Sequence, residues 1–444
     1  MVGIDLSQNH LTGEIPGEIT SLSRLLNLNL SWNHLTGQIP EMIRDMKSVE
    51  SLDLSRNHLC GEMPSSLSDL TYLSSLDLSY NSLTGRIPSG RQLDTLYIEN
   101  PSIYNGNSGL CGPPLPRICS GRNSTESGNQ ITREKGFETV FLYFGLVSGF
   151  TVGLWVVFSM HRTATKLLLL IAAAAAGSLS LVTVARREHH VSAAGNVSAS
   201  CRPHERDALL AFKHVITKDP DGLLASWQRA QDCCRWKGIT CSSHTGNVVK
   251  LDINRKYLPP SVGQISPSLL SLEYLEYLDI SWNDLDVNCS FQEFLGSMKN
   301  LLYFDITSVP FTVCLPSSVT FQTCDISSSL SGKTRGGGAF VFNRHFVFLE
   351  YLDMSSINLS IIVDFPIVAN MVPTLEYIFL DSCSLQSADQ SIPHLNLTKL
   401  EHLDLSLNYF GHSIASCLFW NITSIETLNL DWTYLTGHFP NALG

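Results

Sequence analysis

The chain has 444 residues, 44% apolar and 16% charged, which is enough for two or more cores and too apolar for disorder over most of its length. Its formal net charge is -11, from 29 Lys and Arg against 40 Asp and Glu, and the basic residues are scattered, which excludes a nucleic-acid binder that needs clustered cations on phosphates. Twelve cysteines, with Cys233 and Cys234 adjacent, and N-x-[ST] glycosylation sequons at Asn29, Asn123, Asn196, Asn288, Asn358, Asn396 and Asn421 place the chain in the secretory pathway.

Residues 1–90 repeat every 24 residues: Asn9, Asn33, Asn57 and Asn81 recur in step with Gly13, Gly37, Gly61, Gly85 and with Pro16, Pro40, Pro64, Pro88. That period, written LxxLxLSxNxLxGxIP, reads as four leucine-rich repeats, each opening with a short strand whose alternate leucines, such as Leu28 and Leu30, face inward. The recurring Asn is expected to be buried after the strand, its amide bonding the backbone of neighbouring coils in a ladder. The residue before it is Gln8, Trp32, Arg56 and Tyr80 in turn, an exposed column on the concave sheet; its Trp, Arg and Tyr are the types that dominate binding energy at interfaces, and the alternative is that they cover neighbouring strands. Asn29 lies on that face, so a glycan there would cover part of it. After Pro88 the period stops, and residues 91–119 read as a C-terminal cap closed by Cys111 and Cys119. The first repeat starts at Val2 without a cap, which leaves its apolar edge facing water.

Residues 120–139 form a polar linker, and residues 140–160 are uncharged and long enough to cross a bilayer as one helix. Gly145, Gly149 and Gly153 fall on one face of that helix, where a second helix can approach closely. Residues 161–185 resemble a signal peptide, with His161, Arg162 and Lys166 ahead of the apolar stretch Leu167 to Val184, and 186–200 is a further linker. Two topologies follow. Both runs form a membrane hairpin with the repeat segments outside, or Met160 starts a second protein; Arg186 and Arg187 favour the second account.

Residues 201–246 carry Cys201, Cys233, Cys234 and Cys241, too irregular for a zinc site and suited to a disulfide-stapled cap, around a helix from Glu205 to Val215 that buries Leu209, Leu210 and Phe212. Repeats resume over 247–444, irregular at 309–346, where Cys324-Asp325-Ile326-Ser327 still resembles a strand, and the last repeat is truncated. Trp282, Leu407 and Trp432 match the exposed column of the first segment. Cys60, lone in its half, is expected to be a free thiol.

The motifs LDLSxNxLxGxIP, GNSGLCGPPLPRIC, the GxxxG span and CRPHERDALLAFK...SWQRAQDCCRWKGITC resemble plant extracellular leucine-rich-repeat receptor-like proteins of the fungal-elicitor-receptor type, which carry no kinase. In such a family the parts run from N-cap through repeats to C-cap and span; here the C-terminal half comes first. The resemblance implies an α/β solenoid of parallel strands in two segments separated by membrane or signal-like helices. It implies disulfides Cys201–Cys233, Cys234–Cys241 and Cys111–Cys119, and a partner receptor kinase at Gly145, Gly149 and Gly153. The function expected is non-enzymatic recognition of an extracellular peptide, protein or glycan at the plasma membrane, with no cofactor, metal or nucleic acid. Two alternatives are a secreted inhibitor of microbial wall-degrading enzymes, which shares caps and repeats but lacks a span, and a non-functional fusion of two genes. No kinase signature is present. Ser331-Gly332-Lys333-Thr334 is not a phosphate loop, because Ser327 stands where the first glycine is required.

Overall fold

In the computed structural model the strands of each coil are only two to five residues long, so the sheet is assembled by stacking coils rather than by long pairings. The structure describes residues 2–119, 199–286, 298–310, 348–360, 365–389 and 395–440. The concave strands, in chain order, are β1 (Gly3–Asp5), β2 (Asn27–Asn29), β3 (Ser51–Asp53), β4 (Ser75–Asp77), β5 (Ile239–Cys241), β6 (Val248–Asp252), β7 (Tyr277–Asp279), β8 (Tyr303–Asp305), β9 (Tyr351–Asp353), β10 (Tyr377–Phe379), β11 (His402–Asp404) and β12 (Thr427–Asn429). They form one twelve-stranded sheet in the order β5-β6-β7-β8-β9-β10-β11-β12-β1-β2-β3-β4, parallel except at the β5–β6 edge.

In β1 to β4 and β7 to β12 the middle residue of the strand points into the coil, and Ile4, Leu28, Leu52, Leu76, Leu278, Phe304, Leu352, Ile378, Leu403 and Leu428 are all buried there. On the far side Pro16, Pro40 and Pro64 lie just ahead of short 3-10 turns at φ near -65°, -55° and -62°, which the proline ring holds at no cost, and the turns bury Ile19, Ile43 and Leu67. Between these layers runs the asparagine ladder. Asn57 Nδ2 donates to Leu30 O of the preceding coil at 2.9 Å and to Leu54 O of its own at 3.2 Å, while its Oδ1 accepts from Leu35 N–H at 3.0 Å. Asn33, Asn81, Asn283 and Asn408 also reach back to the preceding coil.

Four expectations change. The period does not stop at Pro88: helix α1 (Arg91–Glu99) replaces the 3-10 turn, and Asn107 continues the ladder to Leu78 O and Leu83 N–H, so a fifth coil precedes the Cys111–Cys119 closure. The edge at Val2 is not open to water, nor is the last repeat left bare. β12 pairs with β1 in register, Ile4 against Leu428, because both edges are cross-sections of the same coil and present the same donor and acceptor spacing. The two segments are therefore one solenoid, with residues 199–440 standing before residues 2–119. The strand expected at Cys324-Asp325-Ile326-Ser327 lies outside the described residues; β8 and β9, which flank it in the chain, pair with each other directly. Helix α2 (Pro203–Val215) starts two residues earlier than the periodicity places it, with proline in its first turn, and it buries Glu205 and Ala208 beside Leu209 and Phe212 while Leu210 is half-buried.

Candidate functional site

Concave side chains at the first and third residues of each strand have no core to fill. In the run β7 to β11 the first of these is Tyr277, Tyr303, Tyr351, Tyr377 and His402. Their rings follow one another along the sheet at 4.0, 4.2, 5.8 and 4.7 Å between centroids, stacked except for the tilted pair Tyr351 and Tyr377. Lys250, one strand earlier, lies 3.9 Å over the Tyr277 ring while its Nζ is 3.1 Å from Asp252. The face thus already holds one cation by a ring and a carboxylate together.

Beside the rings runs a column of carboxylates, Asp252, Asp279, Asp305, Asp353 and Asp404, interrupted by Phe379. Each is fixed from below by the residue two positions on: Asp305 Oδ1 accepts from Thr307 N–H at 2.9 Å and from its hydroxyl at 2.7 Å, and Ser281 and Ser406 hold Asp279 and Asp404 alike. Burial pushes Asp279 and Asp404 above the usual carboxylate range. Asp305 is pushed up to about 7, first by burial and then by the like charges of Asp353 and Asp279. The signal for this strip was in the sequence, as Tyr277-Leu278-Asp279, Tyr303-Phe304-Asp305 and Tyr351-Leu352-Asp353, and it emerges only once the strands are aligned.

The expected binding column lies elsewhere on the coil. Gln8, Trp32, Arg56, Tyr80, Trp282, Leu407 and Trp432 follow their strands by three residues, all exposed and all in the left-handed region with φ between 53° and 58°. The structure brings some of them together. Arg56 lies between the Trp32 and Tyr80 rings at 4.1 and 4.2 Å, so these three satisfy one another. Leu407 and Trp432 meet with Tyr409 and Tyr434 around a hollow of about 720 Å³, where Trp432 Nε1 donates to the Tyr434 hydroxyl at 2.9 Å. Gln8 Nε2 donates to Asp431 at 3.3 Å. Trp282 stands apart, since serines Ser308, Ser356 and Ser382 occupy the left-handed position in the coils between it and Leu407.

The disulfides join Cys111 to Cys119, Cys201 to Cys233 and Cys234 to Cys241. Cys60 is free and exposed, while Cys383 and Cys417 are free and buried. Cys383 replaces a ladder asparagine, its Sγ 3.1 Å from Met354 O, and burial pushes its thiol up to about 12. Among the sequons, Asn358, Asn396 and Asn421 are exposed. Asn29 is half-buried on the concave sheet and its Nδ2 donates to Asp5 and Ser7, bonds that a glycan on that nitrogen would displace. Asn123, Asn196 and Asn288 lie outside the described residues, as do both apolar runs, the linkers at 120–139 and 186–198, and Gly145, Gly149 and Gly153. Among the described residues no helix is long and apolar enough to cross a membrane. Two groups there have metal-ligand geometry. In the first, Cys201, Cys233 and Cys234 are already consumed by disulfides; in the second, Glu401, His402 and Glu426, the His402 ring stacks on Tyr377.

Residues 202–242 match the leucine rich repeat N-terminal domain, and residues 2–59 and 72–90 match leucine rich repeat models. The receptor-like protein EIX1 of Solanum lycopersicum is 42% identical over 272 residues, which is 56% of this chain and 26% of that protein. The chain is thus similar to plant leucine-rich-repeat receptor-like proteins. Receptor-like protein 6 of Arabidopsis thaliana is 40% identical over 275 residues, 55% of this chain and 27% of that one, so the leucine-rich-repeat chain spans about a quarter of the length of these two relatives. The BIR3–SERK2 complex from Arabidopsis thaliana contains a chain 44% identical to this one, over 26% of this chain and 60% of that chain, with a TM-score of 0.24.

Proposed function

We propose that this leucine-rich-repeat chain is the recognition part of a membrane-anchored receptor. The repeats lie outside the cell and bind a peptide or protein ligand; the span at 140–160 anchors them in the plasma membrane, and its Gly145, Gly149 and Gly153 face engages a partner receptor kinase. The observation that carries this reading is the strip from Tyr277 to His402: stacked rings beside oriented carboxylates, on a sheet face with no packing duty. Such a face suits a ligand segment bearing Lys or Arg, since Lys250 is held there in the same manner by Tyr277 and Asp252. The hollow at Leu407 and Trp432 and the exposed column beyond it extend the contact surface. Support for the receptor class comes from relatives that are themselves receptor-like proteins.

Expressed in plant cells, the full chain is expected in the detergent-extracted membrane fraction. Tyr303→Ala with Tyr351→Ala is expected to weaken binding of Arg-containing peptides at least tenfold while the midpoint of thermal unfolding stays within a few degrees. Recovery of the protein in the soluble apoplastic fraction would replace the receptor with the secreted inhibitor; equal peptide binding by the double variant would remove the strip from the site.

A further inference from the structure

The contact between the two ends of the solenoid has every feature of a contact inside it. At an internal step, Leu6 and Gln8 N–H donate to Asn29 and Ser31 O; across the junction, Leu430 and Trp432 N–H donate to Asp5 and Ser7 O at 2.8 and 3.1 Å. Gly3 N–H donates to Glu426 O at 3.0 Å, as Asn27 does to Val2 O. The ladder crosses too: Asn9 Nδ2 reaches Leu430 O at 2.8 Å and its Oδ1 accepts from Thr433 and Leu435 N–H at 3.2 and 2.9 Å. His438 packs over Gly13, at φ +81°, as Glu14 packs over Gly37, and a side chain at either glycine would collide with it. The Tyr434 ring lies 5.7 Å from His10, tilted against it but at the same spacing as the stacked His10, His34 and His58 rings.

From this we infer that the edges at 2–16 and 425–440 are two halves of one interface, each the binding partner of the other, and that residues 1–119 and 197–444 are complementary pieces that hold together without the peptide between them. The partner is the other segment of the same chain. The 79 residues between Cys119 and Ala199 can reach roughly 260 Å at about 3.3 Å each, against roughly 53 Å across twelve strands about 4.8 Å apart. Even with 140–185 withdrawn into a bilayer, the 33 residues of 120–139 and 186–198 reach roughly 110 Å. Tethering at that length gives an effective concentration far above that of a second molecule, so closure within the chain prevails over head-to-tail stacking. If Met160 starts a separate protein, the two products meet through this same edge.

The test uses the detergent-solubilised full chain with a specific protease site inserted between Ser127 and Gly128. After cleavage the pieces are expected to elute together in gel filtration at micromolar concentration and to separate only in denaturant; two species without denaturant would overturn the inference. Asn9→Leu, which removes the ladder bonds across the junction, is expected to weaken the cleaved pair at least tenfold, and Asn57→Leu, which removes the same bonds within one piece, is not. Asp5→Cys with Asn429→Cys, a register pair on the accessible concave face, is expected to cross-link on oxidation, with the uncleaved chain running as a monomer and the cleaved pieces as one band. Gly3→Cys with Thr427→Cys repeats this one pair earlier. A ladder of multimers would assign the edge to a second copy, and absence of any cross-link in both pairs would refute the register.

Discussion

The coils of residues 2–119 and those of residues 248–440 share one sheet and solve the same packing problem in different ways. In the first set Asn9, Asn33, Asn57, Asn81 and Asn107 form an unbroken ladder, and the first concave position holds Gly3, Asn27, Ser51 and Ser75. The second set keeps the ladder asparagine at Asn283 and Asn408 but carries Lys256, Val309, Ile357, Cys383 and Thr433 at the other ladder positions, and its first concave position is a row of rings from Tyr277 to His402. Regular coils satisfy their buried backbone with amides; the irregular ones lean on particular pairs and spend their exposed positions on chemistry. The difference teaches that the repeat consensus marks scaffold, and that departure from it on the strand marks the surface with most to offer a ligand.

Breaking a particular pair in the irregular region should cost most. Arg255 is fully buried, its guanidinium 2.6 Å from Asp219 and 3.0 Å from Asp221, in a coil whose ladder position is Lys256. Arg255→Leu leaves two carboxylates facing an apolar side chain and is expected to lower stability by about 3–5 kcal/mol, read as a shift of the urea midpoint. The ladder itself gives a sharper contrast. Asn57→Ala takes the Oδ1 partner from buried Leu35 N–H and one of two amide donors from each of Leu30 O and Leu54 O, and should cost about 1–3 kcal/mol, whereas Cys383→Ala, which removes only a weak thiol donor, should cost about 1 kcal/mol or less beyond its lost volume.

The carboxylate column predicts a pH effect on the second region. The folded chain holds the Asp305 proton up to about pH 7, while the unfolded chain releases it near the ordinary value of about 3.9. Between those values the folded state binds more protons, so stability falls as pH rises through that window and is lowest above it. Asp305→Asn keeps an oxygen for Thr307 and removes the fall: the unfolding free energy from urea titration should match wild type at pH 4 and exceed it by about 2 kcal/mol at pH 8. The smallest effect belongs to the regular region's exposed column. Arg56→Ala, which empties the space between Trp32 and Tyr80, should cost about 0.5–1 kcal/mol, a value that grows if the sandwich is a core feature rather than a surface one.

Much of this was legible from residues alone. The 24-residue interval fixed where each strand, ladder amide and left-handed residue falls, because a coil of that length has one way to close over its leucines. Gln8, Trp32, Arg56 and Tyr80 were visible as an exposed column for that reason. The Tyr277–His402 strip was harder to see, since its residues are separated in the chain by a full coil or more and become neighbours only through strand register.

What the amino-acid order determined by itself is the coil: its length, its buried leucines, its asparagine amide and its capping cysteines, all set by contacts within one turn or between adjacent turns. What only the tertiary structure decided is which turns are adjacent. Nothing local tells Leu428 to pack beside Ile4, or Tyr303 beside Tyr351, because coil edges carry the same hydrogen-bond pattern wherever they occur; the choice is made by burying two apolar edges that would otherwise both face water.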